Sequence, residues 1–144
     1  VEPWTPVHVA GPDKGTRTCP VCTYLSRPAI VVFARQGANT NKLLAEVEAL
    51  LAKFEKQELK GFVTVLDSTP AELEQLATSE GIVLTSLCYP DPATGEKDLA
   101  AYKVNANVEN TVIVYNDYEV VATFVDLQGE DTAQLKETVK KLFE

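Results

Sequence analysis

The amino-acid sequence predicts an α/β fold, in which a mixed β-sheet carries helices on both faces. Two observations and one general rule of strand pairing predict it. Apolar, β-branched runs alternate with segments of helical periodicity. Strands that are separated by helices pair in parallel. Two later strands are joined by only two turn-forming residues, which indicates an antiparallel hairpin and therefore a sheet of mixed direction.

The N-terminal segment differs in composition from the rest of the chain. Residues 1–28 hold five of the eight prolines and two of the three cysteines. A short strand is predicted at 5–10, and the turn formers of residues 11–15 follow it. A single helical turn fits residues 23–26 and ends before Pro28. We interpret residues 1–28 as an extension of one domain that spans residues 1–144.

Regular elements begin at residue 29. Residues 29–34 form a continuous apolar run, as expected of a strand that is buried on both faces. The next helix is capped by Asn39, Thr40 or Asn41, and a second strand occupies 62–66. The inward face of that helix is defined by residues at helical spacing, namely Leu43, Leu44, Val47, Leu50, Leu51 and Phe54.

The second half continues the alternation. Thr69, Pro70 and Glu72 are the N-cap, first and third residues of a helix that Gly81 ends. The remaining predicted elements are a strand at 82–88, a polar loop at 90–97, a short helix at 98–102, strands at 111–115 and 118–125 around Asn116-Asp117, and a helix with Leu135, Val139, Leu142 and Phe143 on one face.

Composition excludes several classes of protein. Thirteen basic and 21 acidic residues give the 144-residue chain a formal net charge of −8, which disfavours binding to nucleic acid. No apolar run approaches the ~20 residues that a membrane span requires. Helix carboxylates such as Glu46, Glu48, Glu55 and Glu58 are expected to be solvated. The chain starts at Val1 and lacks methionine, which favours processing and an extracytoplasmic location, although trimming explains it equally.

Cys19-Pro20-Val21-Cys22 is the sharpest chemical feature of the sequence. Such a pair can form a reversible disulfide, in which one thiol attacks a substrate and the other resolves the mixed disulfide. It can also supply half of a zinc site or close an inert disulfide. We predict Cys19 as the attacking thiol, because it lies earliest in the helical turn, and Cys22 as the resolving thiol.

Local charge favours the redox interpretation. Lys14, Arg17, Arg27 and Arg35 surround the pair in sequence, and Asp13 is the only acid between residues 11 and 35. Nearby cations stabilise a thiolate. Arg17, Arg27 and Arg35 are therefore the predicted supporting residues of the site.

The sequence also predicts the environment of three other side chains. Cys88 is expected to be a buried hydrophobe, with a third redox partner as the minor alternative. His8 is expected to be half-exposed in its strand, and a zinc site of His8, Cys19 and Cys22 is an alternative. Trp4 is expected to anchor the N-terminal segment. No cofactor or resident metal is predicted.

These elements and motifs resemble the thioredoxin-like superfamily in its redoxin or peroxiredoxin-like branch, over residues 5–143. The Gly11–Gly15 turn is similar to the redoxin N-terminal hairpin, and 28–34 to the first core strand. More narrowly, the chain resembles small bacterial redoxin-like proteins without an assigned reaction. The resemblance implies a thioredoxin-like sheet, protein thiols or disulfides as partners, and a homodimer as a possible assembly.

The chain departs from the family at its usual reactive position. Residues 35–40, after the first core strand, contain no cysteine, and residues 108–111 lack the proline that thioredoxins place beside the site. At the usual reactive position there is also no peroxiredoxin-type pair of a Thr/Ser and a cysteine three residues later. Three interpretations stay open: a thiol–disulfide oxidoreductase or redox sensor with a displaced dithiol, a non-enzymatic binding domain with a structural disulfide, and a zinc-binding redoxin-like domain that uses His8, Cys19 and Cys22. Standard peroxiredoxin activity is not expected.

Overall fold

The computed structural model describes residues 1–105 and 107–144 and contains a mixed α/β fold. The six strands are β1 (Val7–Ala10), β2 (Ala29–Ala34), β3 (Lys60–Val65), β4 (Ser86–Tyr89), β5 (Asn110–Asn116) and β6 (Glu119–Val125). The five α-helices are α1 (Pro20–Tyr24), α2 (Ala38–Lys53), α3 (Pro70–Glu80), α4 (Gly95–Ala101) and α5 (Ala133–Lys141).

All six strands join one sheet in the order β1-β4-β3-β2-β5-β6. The β2–β3 and β3–β4 pairs are parallel, because a helix connects the two strands of each pair. β1, β5 and β6 pair with their neighbours in antiparallel fashion. The predicted mixed sheet is confirmed.

One face of the sheet carries the larger core, which we call the major core. Helices α2, α3 and α5 supply it with Leu44, Leu73 and Leu135, each of them buried. α2 approaches β3 closely at Gly61, where an added Cβ would lie 2.9 Å from side-chain atoms of Val47 and Leu51. The predicted inward face of α2 is therefore confirmed, and it packs directly on the sheet.

The opposite face carries a smaller aromatic core, which we call the minor core. It consists of Trp4, Val21, Ala29, Val31, Phe33, Phe62, Tyr102, Ile113 and Tyr115. The Trp4 side chain is 2% exposed, and its ring meets those of Tyr102 and Phe62 edge to face at 5.1 and 5.9 Å. The predicted anchoring role of Trp4 is confirmed, and helices cover both faces of the sheet.

The third predicted strand begins later than the sequence suggests. β4 starts at Ser86 instead of Ile82, because the backbone N–H groups of residues 83–85 donate to the Glu48 carboxylate of α2. Glu48 is half-buried, so the expectation of a solvated side chain was wrong for this residue. The Glu48 carboxylate of α2 thus holds residues 83–85 as a loop, so that β4 begins only at Ser86.

Other boundaries also move by a few residues. β1 is shorter than predicted, and α4 begins at Gly95, inside the predicted loop. α1 begins at Pro20, directly after Cys19. The predicted caps Asn39, Thr40 and Asn41 of α2 are wrong, because α2 begins at Ala38 with Gly37 as its N-cap. The amide of Asn39 instead contacts Leu127 O and Gly129 N, and Thr40 donates to Arg35 O. The predicted capping box of Thr69 and Glu72 is confirmed.

The hairpin turn of β5 and β6 lies one residue beyond its predicted position. Asn116 pairs with Glu119, which leaves Asp117 and Tyr118 as the two loop residues. Both have positive φ, at 50° and 67°, as a two-residue hairpin of type I′ requires. Within the described residues, no helix is long and apolar enough to cross a membrane.

Candidate active site

Cys19 caps the first helix of the chain. It adopts an extended conformation immediately before the five-residue α1, and its Sγ accepts a hydrogen bond from the backbone N–H of Cys22 at 3.2 Å. Pro20 then occupies the first helical position, where a missing N–H costs nothing. The proline thus fixes the helix start that aims a backbone N–H at the Cys19 sulfur. A thiolate accepts such a bond better than a thiol does.

The two thiols of the motif lie together at the surface. Cys22 is exposed and Cys19 is half-buried, and both are free. A hydrogen bond between the side chains of Cys22 and Cys19 is the main cause that raises the pKa of Cys22 above its ordinary value, and burial adds to it. The structure therefore favours Cys22 as the protonated member of the pair.

Helix α1 is held on the minor core by two side chains. Val21 is buried in that core, and the ring of Tyr24 packs 5.7 Å from that of Phe62. The Tyr24 hydroxyl donates to the Asp13 carboxylate at 2.8 Å, which ties α1 to the turn after β1. Cys19 itself packs against the minor core. The dithiol is therefore attached to the sheet and does not hang in a free loop.

Two of the three predicted supporting arginines have carboxylate partners. Arg17 pairs with Asp91 at 2.9 Å and Arg27 with Glu58 at 3.1 Å. Arg35 follows β2, where its backbone N–H donates to Glu109 O. The carboxylates weaken the positive field that the sequence predicts around the dithiol. A supporting role for the three arginines stays a prediction.

His8 and Cys88 form a separate buried pair. His8 is 1% exposed, so the expectation of a half-exposed strand residue was wrong. Its Nδ1 lies 3.3 Å from Cys88 Sγ, and its Nε2 lies 2.8 Å from the Thr18 carbonyl oxygen. Cys88 is fully buried, as predicted, and burial raises the pKa of its thiol.

The structure does not assemble the alternative zinc site. Both ring nitrogens of His8 face partners other than Cys19 and Cys22. Among residues 1–105 and 107–144, no group of three His, Cys, Asp or Glu side chains is placed to hold a metal ion.

The position after β2 is occupied by polar contacts. The backbone N–H and side-chain amide of Gln36 donate to Asp67 at 2.7 and 3.0 Å, and Thr40 donates to the Arg35 carbonyl. Glu109 lies beside this turn through its bond from Arg35 N. The segment thus has the location expected from the resemblance, while its side chains supply no thiol.

The role of His8 was missed at the level of sequence. A residue between two valines in a strand should alternate with them in exposure. His8 pairs with Cys88, and the register shift between β1 and β4 comes only after His8, so the alternation with Val9 is kept. The ring is buried because residues 15–18 and Cys88 lie against it, and no local sequence signal marks these contacts.

Several solved structures with the same fold are described as redox proteins. The chain is similar to a Chlorobium tepidum protein assigned as thiol:disulfide interchange protein DsbE, with TM-score 0.75, 12% identity and coverage of 100% of this chain and 99% of that one. The thioredoxin domain of a Bacteroides vulgatus thiol-disulfide oxidoreductase has TM-score 0.72 and 12% identity, covering 99% and 93%.

A third similar structure is the Xanthomonas campestris bacterioferritin comigratory protein, whose alkyl peroxide reduction has been described. It has TM-score 0.70 and 12% identity, with coverage of 99% of this chain and 92% of that one. No protein-family model and no curated protein sequence matches the chain. The comparisons confirm the thioredoxin-like fold that the sequence predicted.

Proposed function

We propose that this protein is a thiol–disulfide oxidoreductase or redox sensor that uses Cys19 and Cys22. The observation that carries the proposal is the placement of Cys19 as the N-cap of α1, with its sulfur bonded to the Cys22 N–H and adjacent to the Cys22 thiol. The likeness to DsbE and to the Bacteroides oxidoreductase supports this chemistry by fold analogy alone.

The reaction follows from the two roles of the thiols. The Cys19 thiolate attacks one sulfur of a substrate disulfide, so that a mixed disulfide forms and the other substrate sulfur leaves as a thiolate, which takes up a proton. Cys22 then loses its proton, and its sulfur attacks Cys19 Sγ. The Cys19–Cys22 disulfide forms while the second substrate thiolate is released. The substrate gains two electrons, the dithiol loses two, and every step can run in reverse.

The substrates that suit this site are disulfides or thiols of proteins and small molecules. Cys22 is exposed, which lets a partner reach the pair. An extracytoplasmic location stays a prediction. A homodimer also stays a prediction, for which the edge strand β6 offers exposed Val120, Val121 and Val125.

A redox titration with alkylation tests the proposal. In a Cys88→Ser background, the protein is equilibrated in buffers of reduced and oxidised dithiothreitol, and its free thiols are counted by mass spectrometry. We expect a reversible two-electron transition of the pair. With oxidised glutathione as probe, Cys22→Ser should accumulate a mixed disulfide at Cys19, because the resolving thiol is missing.

Two results would overturn the proposal. One is a pair that stays reduced in oxidised dithiothreitol or stays oxidised in strong dithiol reductant. The other is an unchanged rate of exchange with oxidised glutathione in Cys19→Ser. If loss of either cysteine lowers stability while exchange is no faster than that of a free thiol, the binding-domain reading with a structural disulfide replaces the present one.

A further inference from the structure

His8 connects the interior of the sheet to the residue before the attacking cysteine. Its ring lies between the Thr18 carbonyl oxygen, 2.8 Å from Nε2, and the Cys88 sulfur, 3.3 Å from Nδ1. The ring is 1% exposed, and Cys88 lies beside His8 in the register of β1 and β4. Neither His8 nor Cys88 takes part in the thiol exchange described above.

The tautomer of the neutral ring follows from its two partners. A carbonyl oxygen can only accept, so Nε2 carries the proton and donates to Thr18. In the neutral ring Nδ1 is then an acceptor, and the Cys88 thiol donates to it. Both polar atoms of the buried imidazole are thereby satisfied, and the ring is fixed in one orientation.

The backbone of His8 forms two hydrogen bonds with the same loop. Its N–H donates to Thr16 O, and its carbonyl accepts from Gly15 N–H, both at 2.9 Å. With the ring bond to Thr18, three hydrogen bonds attach residues 15–18 to one strand position. The Thr18 carbonyl belongs to the peptide group that also contains the Cys19 N–H. The ring of His8 therefore sets the plane of the peptide that leads into Cys19.

We propose that His8, braced by Cys88, is a positioning residue that holds Cys19 in its helix-capping geometry and thereby sets the redox equilibrium of the dithiol. The inference rests on the proposed function. It assigns a role to the buried thiol as well: Cys88 is not a third redox partner but the donor that fixes the imidazole.

Loss of the Nε2 bond should shift the redox equilibrium of the dithiol in one direction. Without the Nε2 bond, the Thr18–Cys19 peptide can rotate, and the Cys19 sulfur spends less time on the Cys22 N–H. The reduced form loses this interaction, so the equilibrium with dithiothreitol shifts toward the disulfide. One hydrogen bond corresponds to roughly a threefold to tenfold change in the equilibrium constant, or about 15 to 30 mV toward more negative potential.

Two substitutions of His8 separate its two bonds. In His8→Gln, the side-chain amide nitrogen can replace Nε2 and donate to Thr18, whereas His8→Asn reaches only the position of Nδ1. We expect His8→Asn to shift the equilibrium by about threefold to tenfold and His8→Gln to restore most of the native value. Glu48→Gln is the matched control, since it weakens a loop anchor elsewhere and should leave the equilibrium unchanged.

Cys88 supplies a second pair of variants, which serves even if His8→Asn does not fold. Ser can donate to Nδ1 as Cys does, and Ala cannot. We therefore expect Cys88→Ala to shift the equilibrium in the same direction as His8→Asn and Cys88→Ser to stay near the native value. Shifts that merely follow the melting temperature across all variants, the Glu48→Gln control included, would overturn the proposal.

A second readout keeps this inference apart from the proposed function. In a Cys22→Ser background, the rate at which iodoacetamide alkylates Cys19 at neutral pH should fall about threefold or more in His8→Asn. If the native pair fails to titrate but this rate falls, the proposed function fails and the positioning role stands. If the pair titrates and neither the equilibrium nor the rate responds to His8→Asn or Cys88→Ala, the positioning role fails.

Discussion

At the scale of single residues, the turn after β1 depends on two glycines whose surroundings differ. Gly11 and Gly15 both have positive φ, at 95° and 84°. A Cβ on Gly11 would lie 2.3 Å from the backbone oxygen of Thr85, whereas a Cβ on Gly15 would meet nothing within 4 Å. The first glycine is needed for close packing as well as for its backbone angle, and the second is needed for its angle alone.

Alanine substitutions should separate these two requirements. Gly15→Ala bears only the strain of the left-handed backbone, on the order of 1 kcal/mol. Gly11→Ala adds a collision with backbone, which cannot move aside as a side chain can, so we expect a loss of about 3 kcal/mol or more. Urea denaturation of both variants measures the difference. Equal losses would show that the turn is free to shift away from Thr85.

At the scale of elements, Glu48 joins α2 to the loop before β4. Its carboxylate accepts from the backbone N–H groups of Val83, Leu84 and Thr85 and from the Thr85 hydroxyl. Burial alone raises the pKa of Glu48, but these hydrogen bonds together outweigh it, and the pKa lies below its ordinary value. The anion is therefore better stabilised in the folded chain than in the unfolded one.

The contribution of Glu48 to stability depends on pH with a definite sign. Because its folded pKa is lowered, the contribution is complete above the ordinary value of 4.5 and is lost as the pH falls from there through the folded pKa. Glu48→Gln should lower the free energy of unfolding by about 1 to 2 kcal/mol at pH 7. It should also weaken the dependence of that free energy on pH below 4.5. Urea unfolding between pH 7 and pH 3 measures both effects.

Glu46 on the same helix is the control for this experiment. It forms a surface ion pair with Lys136 at 3.3 Å, and such pairs contribute about 0.5 kcal/mol or less. Glu46→Gln should therefore unfold almost as the native protein does. An effect of Glu48→Gln no larger than that of Glu46→Gln would contradict the anchoring role.

At the scale of the whole molecule, the minor core connects distant parts of the chain to the dithiol. Trp4, β2, α4 and β5 meet there, and Cys19 packs against the same cluster. Burial raises the pKa of both Tyr102 and Tyr115, and Cys19 packs against the cluster that contains both rings. A change at Cys19 should therefore reach the aromatic cluster.

The emission of Trp4, the only tryptophan, should report the state of the pair. In a Cys88→Ser background, oxidation of Cys19 and Cys22 moves a sulfur that borders the minor core, so we expect the intensity of the fluorescence to change reversibly between the two forms. Cys22→Ser cannot form the disulfide and should show no change under the same titration. Identical spectra of both forms in the parent protein would show that the cluster does not sense the dithiol.

Most of the fold could be predicted from the sequence because local signals agreed with one another. Periodicity placed α2, and the Thr69–Glu72 capping box fixed the start of α3. The failures have long-range causes. Glu48 displaces the start of β4, and His8 is buried because residues 15–18 and Cys88 lie against it.

The candidate site was predicted only in part, for the same reason. The Cys-x-x-Cys spacing alone identified Cys19 and Cys22 as the candidate site. The apolar run at 29–34 showed that the pair precedes a buried strand. The carboxylates that face Arg17 and Arg27 come from residues 91 and 58, and the thiol that braces His8 lies 80 residues along the chain. Pairings of this kind are decided by the sheet order, which no short segment encodes.

The order of elements also determines which parts of the site are synthesised first. Cys19 and Cys22 are translated before β2, while the residues that cover or brace this region, Cys88 and Tyr102 among them, emerge many tens of residues later. The pair consequently spends part of synthesis before the contacts that position Cys19 have formed. Premature crosslinking of the nascent polypeptide is thus a hazard that biosynthesis of this protein must accommodate.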